Sequence, residues 1–154
     1  MTAKAERRTA DRQPRESRHR GREAAVQMLY QWEVGKASMD EVRKTFWVGP
    51  ASEDTLPEEH RAFATGLADG VAARIADIDP IIGEAAEHWR IERMNVMDRL
   101  ILRLAVYEFL HEPETPAKVI INEALELART FSNDDAVRFI NGILDAIRRK
   151  LQRQ

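Results

Sequence analysis

Fourteen consecutive residues, Met97 to Leu110, hold nine apolar side chains and are interrupted by charge only at Asp98, Arg99, Arg103 and Glu108. A helix that is apolar on nearly every side has to be buried. The segment is therefore expected to be a central helix, and the rest of the chain must supply its cover.

The flanking sequence offers that cover at helical spacing. Ala25, Met28, Leu29 and Trp32 stand at i, i+3, i+4 and i+7, which predicts a first helix from about Ser17 to a stop at Gly35-Lys36. Ser38 with Glu41 reads as a capping box, after which Met39, Val42 and Phe46 line one face until Gly49-Pro50. Residues 50–57 are turn-rich and read as a loop. Pro57 opens a third helix with the stripe Phe63, Leu67, Val71 and Ile75, and Gly66 and Gly70 beside it read as a close helix–helix approach. Asp79-Pro80 is expected to break that pattern and restart a short helix carrying Ile81, Ile82, Ala85 and Trp89. Asn95 with Asp98 starts the central helix, and His111-Glu112-Pro113 ends it. Thr115-Pro116 caps the next helix, with Ile120, Ala124, Leu127, Ala128 and Phe131 in register. Ser132 and Asp135 frame the last one, along which Ile140, Leu144, Ile147 and Leu151 recur. No alternating strand pattern of useful length is present. The expected fold class is all-α, a compact bundle of about seven helices.

Charge divides the chain differently. Residues 1–22 carry eight Lys and Arg against three acids, about +5, which leaves 16 cations against 23 acids, or −7, for the remainder. Residues 1–17 lack apolar periodicity and contain Pro14. They are expected to form a flexible basic arm ahead of a single helical domain over 18–154. A basic arm on an acidic body suits two partners, a polyanion and a basic protein.

Several chemistries are excluded. With no cysteine, the chain has no disulfide, no thiolate nucleophile and no Cys-ligated zinc. His19, His60, His88 and His111 show no metal-ligand spacing, although His19 and Glu23 lie i, i+4 and read as an ion pair or phosphate contact. There is no phosphate loop, dinucleotide fingerprint or nucleophile elbow. Acids such as Glu58-Glu59 and Asp134-Asp135 are explained by helix N-termini, where negative charge opposes the dipole. The expectation is a protein that is not an enzyme and needs neither cofactor nor metal. The N-terminus lacks an apolar signal core and no segment would span a membrane, so a cytoplasmic protein is expected. A basic helix lying on anionic lipid ranks low, because the basic residues precede the apolar stripe instead of flanking it.

What is present is a run of phosphate-binding chemistry. Arg18, His19, Arg20 and Arg22 lead from the arm into the first helix, and arginine's planar fork holds phosphate bidentately or stacks on bases. Gln27 and Tyr30 follow at helical spacing; an amide can bond a base edge and a ring can stack on one. Half-buried packing explains Tyr30 equally well. Asn122 and Asn141 read as buried amides at helix crossings, and Gly142 as a site of close packing.

Several segments together resemble the NusB family of bacterial transcription antitermination factors. Arg20-Gly21-Arg22-Glu23-Ala24-Ala25-Val26-Gln27-Met28-Leu29-Tyr30 resembles the family's N-terminal helix, and Leu102-Arg103-Leu104-Ala105-Val106-Tyr107-Glu108 its central helix. Val119 to Ala128 and Phe139 to Asp145 look like its last two helices. The likeness spans roughly residues 18–150, in the family's order. It implies two small helical subdomains. It also implies joint binding, with the ribosomal protein NusE, of the single-stranded boxA element of nascent ribosomal RNA. With other Nus factors, that complex lets RNA polymerase read through terminators. The resemblance puts Arg18, His19, Arg20 and Arg22 in the arginine-rich start, with His19 where another Arg is common. It places Asp135 and Phe139 at boxA, Arg138 beside them, and Tyr30 near the same face. Asp98, with Glu108 on the same acidic helix, would meet NusE. Asp98 reads equally as a helix N-terminal acid.

Two rival readings use the same residues. The family's helical domain also precedes ribosomal RNA cytosine methyltransferases, but this chain is expected to have no room for their catalytic domain. A structural bundle, self-associating as a homodimer with an incidental basic tail, is the other.

Overall fold

Seven α-helices and no strand occur among the described residues of the computed structural model, which are 3–48, 56–87 and 89–154, with side chains from residue 17 onward. In chain order they are α1 (Ala3–Glu33), α2 (Met39–Thr45), α3 (Glu58–Ala73), α4 (Ile75–Ala86), α5 (Val96–His111), α6 (Ala117–Phe131) and α7 (Asp134–Lys150). A 3-10 turn, Ile91–Arg93, leads into α5. The all-α expectation holds, helix by helix.

The central helix is α5. It packs against α1, α3, α4, α6 and α7, while α2 rests on α1 and α3. Leu100, Ile101, Leu102, Leu104 and Val106 are fully buried, each worth roughly 1.5–3 kcal/mol on burial. Two subdomains result, α1–α3 and α4–α7, with α5 running along both. Its charged residues are also enclosed. Arg103 forks onto Asp79 of α4, with Nε to Oδ1 at 2.9 Å and a terminal nitrogen to Oδ2 at 2.8 Å. Arg99 donates to Glu33 of α1 at 3.0 Å and to the Ile91 carbonyl at 3.3 Å. Asp98 accepts from the Ser132 hydroxyl at 2.8 Å.

Local details differ from the sequence reading, each for a physical reason. Helical backbone begins at Ala3, not near Ser17, because residues 3–13 contain Ala, Glu and Arg without glycine and need no apolar stripe to favour helix. The side chains of the arm, Arg7, Arg8, Arg12 and Arg15 included, lie outside the described residues, as do Gly49-Pro50. The stop expected at Gly35-Lys36 is there, and it is Lys36 that takes the positive φ (59°). Gly35 is needed instead because a Cβ there would stand 2.6 Å from the Gln31 carbonyl oxygen. Pro80 does not break a helix: the break falls at Arg74 (φ −124°, ψ 24°), and Pro80 sits inside α4, between the buried Ile78 and Ile82. Trp89 therefore belongs to no helix; it follows the end of α4 and is exposed. Ser38 and Asn95 cap as expected, Ser38 Oγ accepting from the Glu41 N–H and Asn95 Oδ1 from the Met97 N–H. For α7 the cap is Asn133, whose Oδ1 accepts from the Ala136 N–H, and Ser132 is free for Asp98. Asn122, Asn141 and Gly142 face solvent, since the core side of α6 and α7 is already filled by Ile120, Ala124, Ile140 and Leu144.

Past α7 the chain folds back. Arg153 donates to the carbonyls of Phe109, Glu112 and Thr115, and the Ala117 N–H bonds to the Gln154 carbonyl.

The two glycines of α3 separate cleanly. A Cβ on Gly70 would overlap the Tyr107 ring, whereas one on Gly66 meets nothing within 4 Å. Gly70→Ala is expected to destabilise by about 1–3 kcal/mol, and Gly66→Ala to be neutral or stabilising by up to about 1 kcal/mol. Urea unfolding of both variants checks this; equal midpoints would refute the close approach at Gly70.

Candidate nucleic-acid interface

The basic run on α1 is used more for structure than its composition suggests. Arg18 is exposed, its guanidinium 5.8 Å from the centre of the Phe63 ring. His19 lies between two carboxylates, Glu23 at 2.8 Å and Glu123 of α6 at 2.6 Å. Arg20 is half-buried beside Glu23, Ala24 and Gln27, in a narrow groove of about 90 Å³ closed by Phe46, Trp47 and Leu56. Gln27 and Tyr30 are exposed on the same helix.

Arg22 and Glu108 require correction. They are 3% and 2% exposed and bond to each other, Arg22 Nε reaching both Glu108 oxygens at 3.0 and 3.1 Å and a terminal nitrogen reaching one at 2.8 Å. Neither offers itself to RNA or a partner. The reason lies in spacing: Arg22 stands on the buried side of α1 with Ala25, Val26 and Leu29. Burial alone would lower the Arg22 guanidinium, but the hydrogen bonds and charge of Glu108 outweigh it and Arg22 stays protonated. Burial pushes the Glu108 carboxyl above its ordinary range, against the pull of Arg22.

A second groove, about 310 Å³, lies between the start of α5 and the start of α7. Its lining brings together Asp98, Asp135 and Phe139, three residues given a binding role from sequence, with Trp89, Arg93, Asn95 and Asn133, which were given none. The Asp135 side chain is 96% exposed and pairs only loosely with Arg138 at 3.9 Å. Phe139 is half-buried and meets Trp89 edge to face, ring centres 5.8 Å apart. Asp98 is only 9% exposed and already bonded to Ser132, so it forms part of the floor and presents little charge outward. Arg20 and Gln27 line the other groove, so the expected residues fall into two clusters. The signal for Asn95 was legible as capping chemistry, whereas Asn133 was passed over because the cap of α7 was expected at Ser132. An amide that spends its oxygen on a helix N-terminus keeps its NH₂ as a donor. Among the described residues no group of three or more His, Asp or Glu is arranged to hold a metal ion.

The model of the NusB family matches residues 19–149 of the chain. The transcription antitermination protein NusB of Koribacter versatilis (strain Ellin345) is 50% identical over 135 residues, 88% of this chain and 90% of that protein. The T. maritima NusB structure superposes with a TM-score of 0.75 at 31% identity, covering 86% of this chain and 91% of that one. A structure of the antitermination factors NusB and NusE in complex with double-stranded RNA shares the fold, with a TM-score of 0.77 at 24% identity over 88% of this chain and 98% of that one.

Removing one partner of a buried ion pair strands the other's charge. Glu108→Gln is expected to cost about 3–5 kcal/mol, a fall of roughly 6–20 °C in Tm, and the double variant Arg22→Met/Glu108→Leu to recover most of it. Calorimetry of the single and double variants decides; a Glu108→Gln protein as stable as the parent would show that the pair holds nothing.

Proposed function

The chain belongs to the NusB family, and on that premise we infer that it is a non-catalytic, RNA-binding transcription antitermination factor. It acts in the cytoplasm with the ribosomal protein NusE on the boxA element of nascent ribosomal RNA, within the complex that carries RNA polymerase past terminators. The observation that carries this reading is the groove between α5 and α7. It combines an aromatic wall (Phe139), an exposed acceptor (Asp135) and two capping amides with spare donors (Asn95, Asn133). Single-stranded RNA is read by that combination: a ring to stack on and polar groups for a splayed base edge.

The domain 18–154 supplies the surface and the segment 1–17 supplies charge. Arg18, Arg20 and the upstream arginines act as a long-range attractor for phosphate, sensitive to salt and indifferent to sequence. Gln27 and Tyr30, exposed on α1, extend the contact, and Arg138 neutralises phosphate beside Asp135. NusE contributes by completing a composite surface, so each partner raises the RNA affinity of the other through a shared coupling energy. No helix among the described residues is long and apolar enough to cross a membrane, in keeping with this setting.

A fluorescently labelled boxA-type RNA and its scrambled counterpart, titrated across a salt series with and without NusE, test the reading. Specific binding that strengthens with NusE is expected. Phe139→Ala should weaken it about 5- to 150-fold, the worth of one base–aromatic stack. Arg18→Glu/Arg20→Glu should flatten the salt dependence by about 0.7 in logarithmic slope for each phosphate no longer neutralised. Equal affinity for both RNAs, unmoved by NusE, would overturn it.

A further inference from the structure

Trp89 is the one large aromatic side chain near the groove whose exposure the fold does not explain. It is 58% exposed and lies outside any helix, past the end of α4. Leaving so much indole in water forgoes a large part of the stabilisation that burial would give. Phe139 packs against it edge to face, which gives the indole a fixed neighbour at the groove wall. Trp89 lines the groove that holds Asp135, Asn95 and Asn133, and with Arg93 it also lines a third, adjoining groove that holds Arg90.

We propose that Trp89 is a base-stacking platform, and that single-stranded RNA seated against Asp135 and Phe139 continues over the Trp89 ring. This rests on the RNA-binding reading above and adds a residue and a direction to it. Three observations favour a nucleobase over a protein side chain. The volume of about 310 Å³ lies at the small end of ligand sites and suits one planar ring. The polar lining offers both donors (Asn95, Asn133) and an acceptor (Asp135), the two kinds of group that a base edge pairs with. The third groove is close to neutral, because Glu87 and Glu92 offset Arg90 and Arg93. It therefore favours neither a strongly acidic nor a strongly basic partner segment, and it leaves stacking as the main contribution.

That last point makes the proposal testable apart from charge. Trp89→Ala is expected to weaken boxA-type RNA binding about 5- to 150-fold by the same amount at every salt concentration, with the logarithmic salt slope unchanged. Trp89→Phe should retain most of the affinity, and Trp89→Leu, apolar but unable to stack, should not. Bound RNA should quench tryptophan emission in the parent, and Trp89→Phe should lose a large part of that quench, the remainder coming from Trp47 beside Arg20 and Gln27, since Trp32 is packed against the core. If Phe139→Ala weakens binding while Trp89→Ala and Trp89→Leu do not, the RNA reading stands and the platform falls. If Trp89→Ala weakens binding of NusE alone and leaves RNA affinity intact, the residue serves the protein partner and the proposal is overturned. If the parent shows no preference for boxA-type RNA, both readings fail together.

Discussion

A charge enclosed in an apolar core without a partner costs several kcal/mol, and α5 carries four charged residues on a helix packed by five others. Their partners set the arrangement of the molecule. Arg22 reaches Glu108 near one end of α5, and Glu33 reaches Arg99 near the other, so α1 is clamped antiparallel along it. Arg103 fixes α4 through Asp79, and Asp98 fixes the turn between α6 and α7 through Ser132. Hydrophobic burial supplies most of the driving force, but it is indifferent to direction. The four polar contacts are directional, and each ties one particular neighbour to α5.

This explains why the basic run does not act as a uniform patch. Of the four residues at its heart, Arg22 is inside, His19 bridges two acids on different helices and Arg18 leans over Phe63. The segment proposed to attract a polyanion is also the one that ties α1 to α5 and α6, through Arg22 on Glu108 and His19 on Glu123. On the proposed RNA-binding reading, phosphate contact at its outer side and helix packing at its inner side would share one element, since α1 packs directly on α5, whose start lines the groove with Asp135 and Phe139.

Much of the fold was legible in the sequence because apolar spacing alone carries it. The α5, α6 and α7 stripes reappear nearly residue for residue in the core. What escaped were features decided by more than one segment. Pro80 reads as a breaker locally, yet Ile78 and Ile82 on either side of it are buried, which holds α4 together around the missing bond. Glu108 reads as a surface acid until Arg22 is brought onto it from 86 residues away. In the groove, Asp135 and Phe139 were reachable through resemblance, and Asn95 as a cap. Trp89 was missed because periodicity assigned it to a helix that ends before reaching it.

The fold-back by Arg153 bears on how the molecule opens. A helix normally leaves its last carbonyls to water, and its final turn frays in small, independent excursions. In α5 the Phe109 carbonyl and that of the following cap, Glu112, are held by a guanidinium that arrives after α7. The last turn of the central helix cannot loosen unless the residues beyond α7 let go as well. Two stretches more than 40 residues apart become one cooperative unit, and the most buried helix is spared the local unfolding its own sequence would permit.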